Sequence, residues 1–160
     1  MVKNSKNLLI KFIFFVSIIA LVSAFFIEYI LGHQPCNLCV LERIPYLLAI
    51  IVVLLNYKFI QFEKFFTLLL TIIFLFGTVL SLYHLGIEQG LIQESLVCDL
   101  KGASNLLSKE EILKQLQEKS VSCKDVTFKI FGLSLTSYNI LISLLITVSA
   151  GKIYFNYDKN

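Results

Sequence analysis

Charged residues are scarce in this chain, and their scarcity excludes an ordinary soluble domain. Asp, Glu, Lys and Arg make up 16% of the 160 residues, against roughly 25% in soluble domains, and the mean hydropathy is +0.80. The sequence also lacks internal repeats and low-complexity tracts. Its net charge of +3 is small and spread out, so nothing indicates nucleic-acid binding. We expect a single membrane domain over residues 1–160.

Long apolar runs dominate the sequence. A spanning helix takes about 20 mostly apolar residues, and four stretches reach that length: 8–31, 40–57, 65–85 and 133–155. The charged residues inside them lie near the ends, where long side chains can reach the interface: Lys11, Glu28, Glu42, Arg43 and Lys152. The pattern predicts an all-α membrane protein, a four-transmembrane-helix bundle with two extracytoplasmic loops.

The first stretch also has features of a signal peptide. Lys3 and Lys6 precede it, and residues 22–24 resemble a cleavage site. The apolar run continues well beyond Ala24, however, through residues 25–31. We therefore expect the first span to remain uncleaved.

All four cysteines lie outside the apolar stretches. Cys36 and Cys39 follow the first stretch, and Cys98 and Cys123 follow the third. Two crossings separate the pairs, so both pairs lie on the same face of the membrane. The loop 32–39 has no Lys or Arg, which favours cytoplasmic termini by the positive-inside rule. Disulfides persist outside the cytosol, so we expect both pairs to face the periplasm or its equivalent.

Cys36 and Cys39 form a Cys-x-x-Cys motif, which is typical of reversible dithiols. The alternatives are a structural disulfide, half of a zinc site, or two unremarkable thiols. Structural zinc needs four nitrogen or sulfur ligands, and Cys98 and Cys123 are not a second Cys-x-x-Cys. The spacing therefore favours redox activity, and no metal site is expected from it.

Two residues outside the motif, Arg43 and His84, are candidates for the same chemistry. Cys39 lies at the start of the second span, and Arg43, four residues later, falls on the same helical face, so both features favour a thiolate at Cys39. Arg43 can also face an anionic or quinoid ligand, or simply be an interface arginine. His84 ends the third span on the same side. It is either a polar cap or a source of a hydrogen bond or proton for a quinone or thiolate.

The second cysteine pair encloses the long polar loop. A structural disulfide there would stabilise the protein by roughly 3 kcal/mol through loop closure. Two pairs on one face can instead pass electrons in series through mixed disulfides. Inside the loop, the capping-box pattern at 108–111 predicts a short amphipathic helix over 109–119, lying on the membrane surface or packed on the protein.

Taken in order, these motifs resemble the disulfide-bond-formation protein B (DsbB) family of bacterial inner-membrane thiol oxidases. The matching segments are 35–39 with 42–43, 83–84, 98–99, Cys123 and 131–133. With the four spans and two outer loops in the same order, the resemblance covers essentially the whole chain. The resemblance implies a quinone-dependent enzyme with both termini cytoplasmic. Its expected partners are a periplasmic DsbA-like thioredoxin-fold protein, membrane ubiquinone or menaquinone, and the lipid bilayer.

The resemblance also implies a role for each cysteine. A partner thiolate attacks Cys98 of a Cys98–Cys123 disulfide, Cys123 then attacks Cys36, and Cys39 is released. Cys39 hands electrons to a quinone held near Arg43, with His84 contributing.

Three other kinds of protein share parts of this pattern. A DsbI-like oxidase with a dedicated partner would differ only in that partner. A vitamin K epoxide reductase-like enzyme carries its loop cysteines before its Cys-x-x-Cys motif, which is the opposite order. A non-enzymatic membrane scaffold would use both disulfides only to brace its outer loops.

Overall fold

The chain folds into a bundle of long helices. A computed structural model describes residues 2–93, 98, 122–124, 129–130 and 132–155. Its elements are α1 (Val2–Tyr29), α2 (Asn37–Leu41), α3 (Ile44–Lys58), a 3-10 turn (Ile60–Phe62), α4 (Glu63–Glu88), β1 (Lys129–Ile130), β2 (Leu133–Ser134) and α5 (Leu135–Phe155). The amphipathic helix predicted over 109–119 lies outside the described residues.

Within these ranges, four helical segments are long and apolar enough to cross a membrane: Asn7–Tyr29, Asn37–Lys58, Ile60–Glu88 and Leu135–Phe155. The prediction of an all-α bundle with four spans is confirmed. The outward side chains of these helices are largely exposed Leu, Ile, Val and Phe, which suits contact with lipid tails.

The second span differs from its prediction in start and continuity. It begins at Asn37 rather than at residue 40, and a turn at Glu42 and Arg43 separates α2 from α3. Pro45 explains the interruption, because its nitrogen has no hydrogen to donate to the carbonyl of Leu41. Proline is tolerated instead in the first turn of α3. Cys39 and Arg43 therefore lie on two helical segments, α2 and the start of α3, rather than on one continuous helix.

The fourth span begins two residues later than predicted. Leu133 and Ser134 pair with β1 in an antiparallel hairpin, with Ile130 opposite Leu133. Gly132 makes the turn with φ of 82°, a conformation that glycine adopts without steric cost. Ser134 then caps α5, since its hydroxyl accepts a hydrogen bond from the backbone N–H of Ser137 at 3.4 Å.

The helices pack unevenly, and this leaves room for a site. α4 packs along most of α5, and α3 lies between α1 and α4, whereas α1 and α5 barely touch. Gly77 permits close packing of α3 on α4, because a Cβ at this position would lie 3.2 Å from Cγ of Pro45. The main core is filled by residues such as Ala49, Val53, Phe74 and Ile146. The space between α1 and α5 becomes the site described next.

Candidate functional site

The four cysteines meet at one end of the bundle. Cys98 and Cys123 form a disulfide with their Cα atoms 5.8 Å apart, and Cys36 and Cys39 are free thiols. A buried cluster, which we call the cysteine cluster, consists of Cys36, Leu38, Ile87, Cys98 and Cys123. The prediction that both pairs lie on one face of the membrane is confirmed by this cluster.

Cys36 and Cys39 are held in contact by the short helix α2. Cys36 is the N-cap residue, in an extended conformation, and its sulfur accepts a hydrogen bond from the backbone N–H of Cys39 at 3.2 Å. The two Sγ atoms are 2.6 Å apart. The short helix α2 therefore places the two sulfurs where they can form a disulfide.

The hydrogen bonds around the pair converge on Cys36. The Cys39 thiol, donating to the Cys36 sulfur, lowers the pKa of Cys36 to about 5; burial opposes the shift, and the His84 ring and the Cys39 N–H reinforce it. The sequence predicted the thiolate at Cys39. In the structure Cys36, not Cys39, occupies the capping position of α2, and its hydrogen bonds favour a thiolate at Cys36.

His84 connects Cys36 to a buried carboxylate. Its Nε2 lies 3.4 Å from Sγ of Cys36, and its Nδ1 lies 2.8 Å from Oε1 of Glu42 and 3.2 Å from the hydroxyl of Thr136. That hydroxyl donates its proton to Glu88 at 2.6 Å, so it can only accept at Nδ1. Both Nδ1 partners are therefore acceptors, and Nδ1 carries a proton. Nε2 is left to exchange a proton with Cys36.

Asn139 completes the network on the other side of Glu42. Its amide nitrogen donates to Oε2 of Glu42 at 2.9 Å and to the hydroxyl of Ser81 at 2.7 Å, and its oxygen accepts from the hydroxyl of Tyr46. Glu42 is buried inside the bundle, with a relative exposure of 9%. A buried carboxylate is tolerated only where hydrogen bonds satisfy it, and here His84 and Asn139 do so.

Arg43 points into the same region but is already paired. Its guanidinium bonds the Glu28 carboxylate at 2.5 Å and lies 5.2 Å from the ring centre of Phe25. The Arg43 and Glu28 side chains are 17% and 23% exposed. The ion pair thus fixes Arg43 between α1 and the start of α3. Whether Arg43 and His84 bind a cofactor stays a prediction.

A cavity of about 480 Å³ opens between α1 and α5 onto these groups. Its long walls are apolar and come from α1 and α5. Its polar end is lined by the sulfur-bearing residues and the cationic groups of the site: Cys36, Cys39, Cys123, Arg43 and His84. A cavity of this size and lining is suited to an apolar ligand with a polar head.

Sequence reasoning missed Thr136 and Asn139. The signal was present, since Thr136, Asn139 and Ser143 recur at helical spacing inside a span that is otherwise apolar. Polar residues aligned on one face of a spanning helix mark a functional interior. Their partners elsewhere in the chain, Glu42 and Glu88, were not identifiable from spacing.

One end of the bundle thus combines a closed disulfide, an open dithiol and a buried histidine next to them. This arrangement is typical of a membrane protein that carries out thiol–disulfide exchange. The chain belongs to the family described as Disulfide bond formation protein DsbB, which it matches over residues 6–153. It is accordingly a multi-pass membrane protein that functions in disulfide bond formation.

A curated relative is consistent with this placement. The chain is 36% identical over 147 residues to "Uncharacterized protein RP370" of Rickettsia prowazekii (strain Madrid E), an alignment that covers 91% of this chain and 85% of the relative. No solved structure matches the chain.

Proposed function

We propose that the protein is a quinone-dependent thiol oxidase of the bacterial inner membrane that re-oxidises a periplasmic DsbA-like thioredoxin-fold protein. The observation that carries the proposal is the packing of the Cys98–Cys123 disulfide and the Cys36–Cys39 pair in one cluster. Both termini are then cytoplasmic, and the cysteine loops face the periplasm. Family membership supports disulfide chemistry, and the packing of the two cysteine pairs supports an exchange between them.

The exchange starts at the loop disulfide. A partner thiolate attacks Cys98 and breaks the Cys98–Cys123 bond, which leaves Cys123 as a thiolate. Cys123 attacks Cys36 of an oxidised Cys36–Cys39 pair, and Cys39 leaves as a thiolate. The partner's second thiolate displaces Cys98, and Cys98 attacks Cys123, which closes the loop disulfide and releases Cys36. Two electrons have then moved from the partner to Cys36 and Cys39.

Two observations support this order. Cys123 lies in the same buried cluster as Cys36, so the loop disulfide packs next to the sulfur with which it is proposed to exchange. Cys36 is also the sulfur expelled in the last exchange. A sulfur leaves faster when the pKa of its thiol is low, and the pKa of Cys36 is lowered to about 5.

The energetics require a strong oxidant. A DsbA-type partner has a reduction potential near −120 mV, and ordinary structural disulfides lie below about −300 mV, so transfer between them would cost roughly 8 kcal/mol. A membrane quinone, ubiquinone or menaquinone, would accept the two electrons together with two protons. Its binding site would be the cavity, with apolar walls for the isoprenoid chain and Arg43, Tyr46 and His84 at the polar end. There His84 holds the proton exchanged with Cys36.

Quinol formation tests the proposal directly. The purified protein is mixed with a reduced thioredoxin-fold partner and a short-chain ubiquinone, and the quinol is followed by its absorbance. We expect catalytic quinol formation by the wild type. Cys39→Ser, which keeps the loop disulfide, should support only one round of exchange and form no quinol. Turnover by Cys39→Ser at the wild-type rate contradicts the assignment of the Cys36–Cys39 pair, and the absence of quinol with the wild type favours the scaffold alternative.

The order of exchange has its own test in Cys123→Ser. Without Cys123, the mixed disulfide between the partner and Cys98 cannot pass its electrons inward, so it should accumulate. The adduct is isolated under non-reducing conditions and its bridged peptide is identified by mass spectrometry. An adduct through Cys36 instead of Cys98 would overturn the proposed order.

A further inference from the structure

We propose that Cys36, Cys39 and His84 form a metal site that binds Zn²⁺ when the cysteine pair is reduced. The three residues offer two sulfurs and one imidazole nitrogen, which are the donors that Zn²⁺ prefers. Spacing in the sequence gave no third ligand, because His84 lies on α4, far along the chain from the motif. The fold brings it there.

The distances suit a tetrahedral ion. The three donor atoms lie within 4.8 Å of one another. With Zn–S near 2.3 Å and Zn–N near 2.0 Å, tetrahedral donors stand about 3.5–3.8 Å apart. Nε2 of His84 is already 3.4 Å from Sγ of Cys36. The sulfur of Cys39 is 2.6 Å from that of Cys36 and must move away by about 1 Å, for which the cavity that it lines leaves room.

The surroundings of His84 match those of a metal-binding histidine. A zinc-bound imidazole usually donates its second N–H to a carboxylate, which fixes the ring and raises its basicity. Here Nδ1 of His84 donates to Glu42, whose other oxygen is held by Asn139. Nε2 is thereby aimed at the sulfurs. The fourth position faces the cavity and is left to a water molecule.

The chemistry makes this site dependent on redox state. Binding replaces the thiol protons with Zn²⁺, so two thiolates coordinate the ion and the protons go to solvent. The disulfide form has no thiolate and cannot bind. Zn²⁺ would therefore hold the pair in its dithiol state and block its oxidation until a chelator removes the ion. Only this inhibitory consequence rests on the proposed thiol oxidase function.

Co²⁺ is the probe for the site, because its thiolate complexes absorb in the near ultraviolet and its tetrahedral complexes absorb in the visible. The detergent-purified full-length protein is reduced with a phosphine under argon, and Co²⁺ is titrated in. We expect one equivalent of Co²⁺ to bind to the reduced protein and to produce both absorption features. The oxidised protein should bind no Co²⁺ and show neither feature. The same spectrum should persist in the Cys98→Ser/Cys123→Ser variant. Its loss there would assign the ion to the loop thiols and overturn the proposal.

The two histidines of the chain provide a matched pair of variants. His84→Gln should weaken Co²⁺ binding at least tenfold, whereas His33→Gln, which alters the other histidine lining the cavity, should leave it unchanged. Glu42→Gln should weaken binding by about 10–100-fold through the orientation of His84. Binding that is unaffected by His84→Gln, or abolished by His33→Gln, would overturn the assignment.

A measurement on the wild type avoids dependence on variants that fail to fold. Zn²⁺ should protect Cys36 and Cys39 of the reduced protein from alkylation, as read by mass spectrometry, and a chelator should restore their reaction. Alkylation unchanged by Zn²⁺ contradicts the site. The outcomes for site and function are separable: Co²⁺ binding without quinol formation rejects only the proposed function, and quinol formation without Co²⁺ binding rejects only the metal site.

Discussion

In protein whose Cys36–Cys39 pair is reduced, the alkylation rate of Cys36 should reach half of its maximum near pH 5, whereas an ordinary thiol does so near pH 9. The reason is that the Cys36 thiolate accepts hydrogen bonds from the Cys39 thiol and backbone N–H, with His84 beside it, and these favour the charged form over burial. The rate should be flat above this midpoint and fall as the pH drops through it. Iodoacetamide labelling followed by peptide mass spectrometry assigns the midpoint to one cysteine.

Two replacements of Cys39 test whether the hydrogen bond from its side chain lowers the alkylation midpoint of Cys36. Cys39→Ser keeps a hydroxyl that can donate to the Cys36 sulfur, so the midpoint should stay low. Cys39→Ala removes the donor that contributes most to the shift, so the midpoint should rise by well over one pH unit. A low midpoint at Cys39 in the wild type, or equal midpoints in the two variants, would refute the assignment of the thiolate to Cys36.

Replacing Asn139 with leucine should lower the free energy of unfolding by about 3 kcal/mol, since it leaves buried groups of Glu42, Ser81 and Tyr46 without their partner. The largest part comes from Glu42, because a buried carboxylate loses one of its two hydrogen-bond donors. The measurement is equilibrium unfolding in mixed micelles. A second readout is the alkylation midpoint of Cys36, which should shift as His84 loses its fixed orientation.

Asn56 provides the matched control on another helix. It is also buried, but its Oδ1 has no hydrogen-bond partner among the residues that the structure describes. Asn56→Leu should therefore be neutral or slightly stabilising, and it should leave the Cys36 midpoint unchanged. Equal destabilisation by the two substitutions would mean that Asn139 is only a packing residue.

Local patterns in the sequence were sufficient for the architecture. A spanning helix must satisfy all of its backbone hydrogen bonds within the segment, so each span appears as one long apolar run. Counting the runs then placed the Cys36 and Cys98 pairs on one face, and the cysteine cluster confirmed it. The errors arose where single residues set a boundary, at Pro45 in the second span and at the β-hairpin before α5.

The sequence by itself therefore determined the membrane class, the four spans and the family motifs, because each depends on neighbours in the chain. The tertiary structure decided the chemistry of the site. It placed the hydrogen bonds that favour a thiolate on Cys36 rather than on Cys39, and it paired Glu28 with Arg43. It also joined His84 on α4 and Asn139 on α5 through Glu42, which lies in the turn before α3. Hydrogen bonds and ion pairs between helices depend on which faces meet, and an apolar run does not encode that.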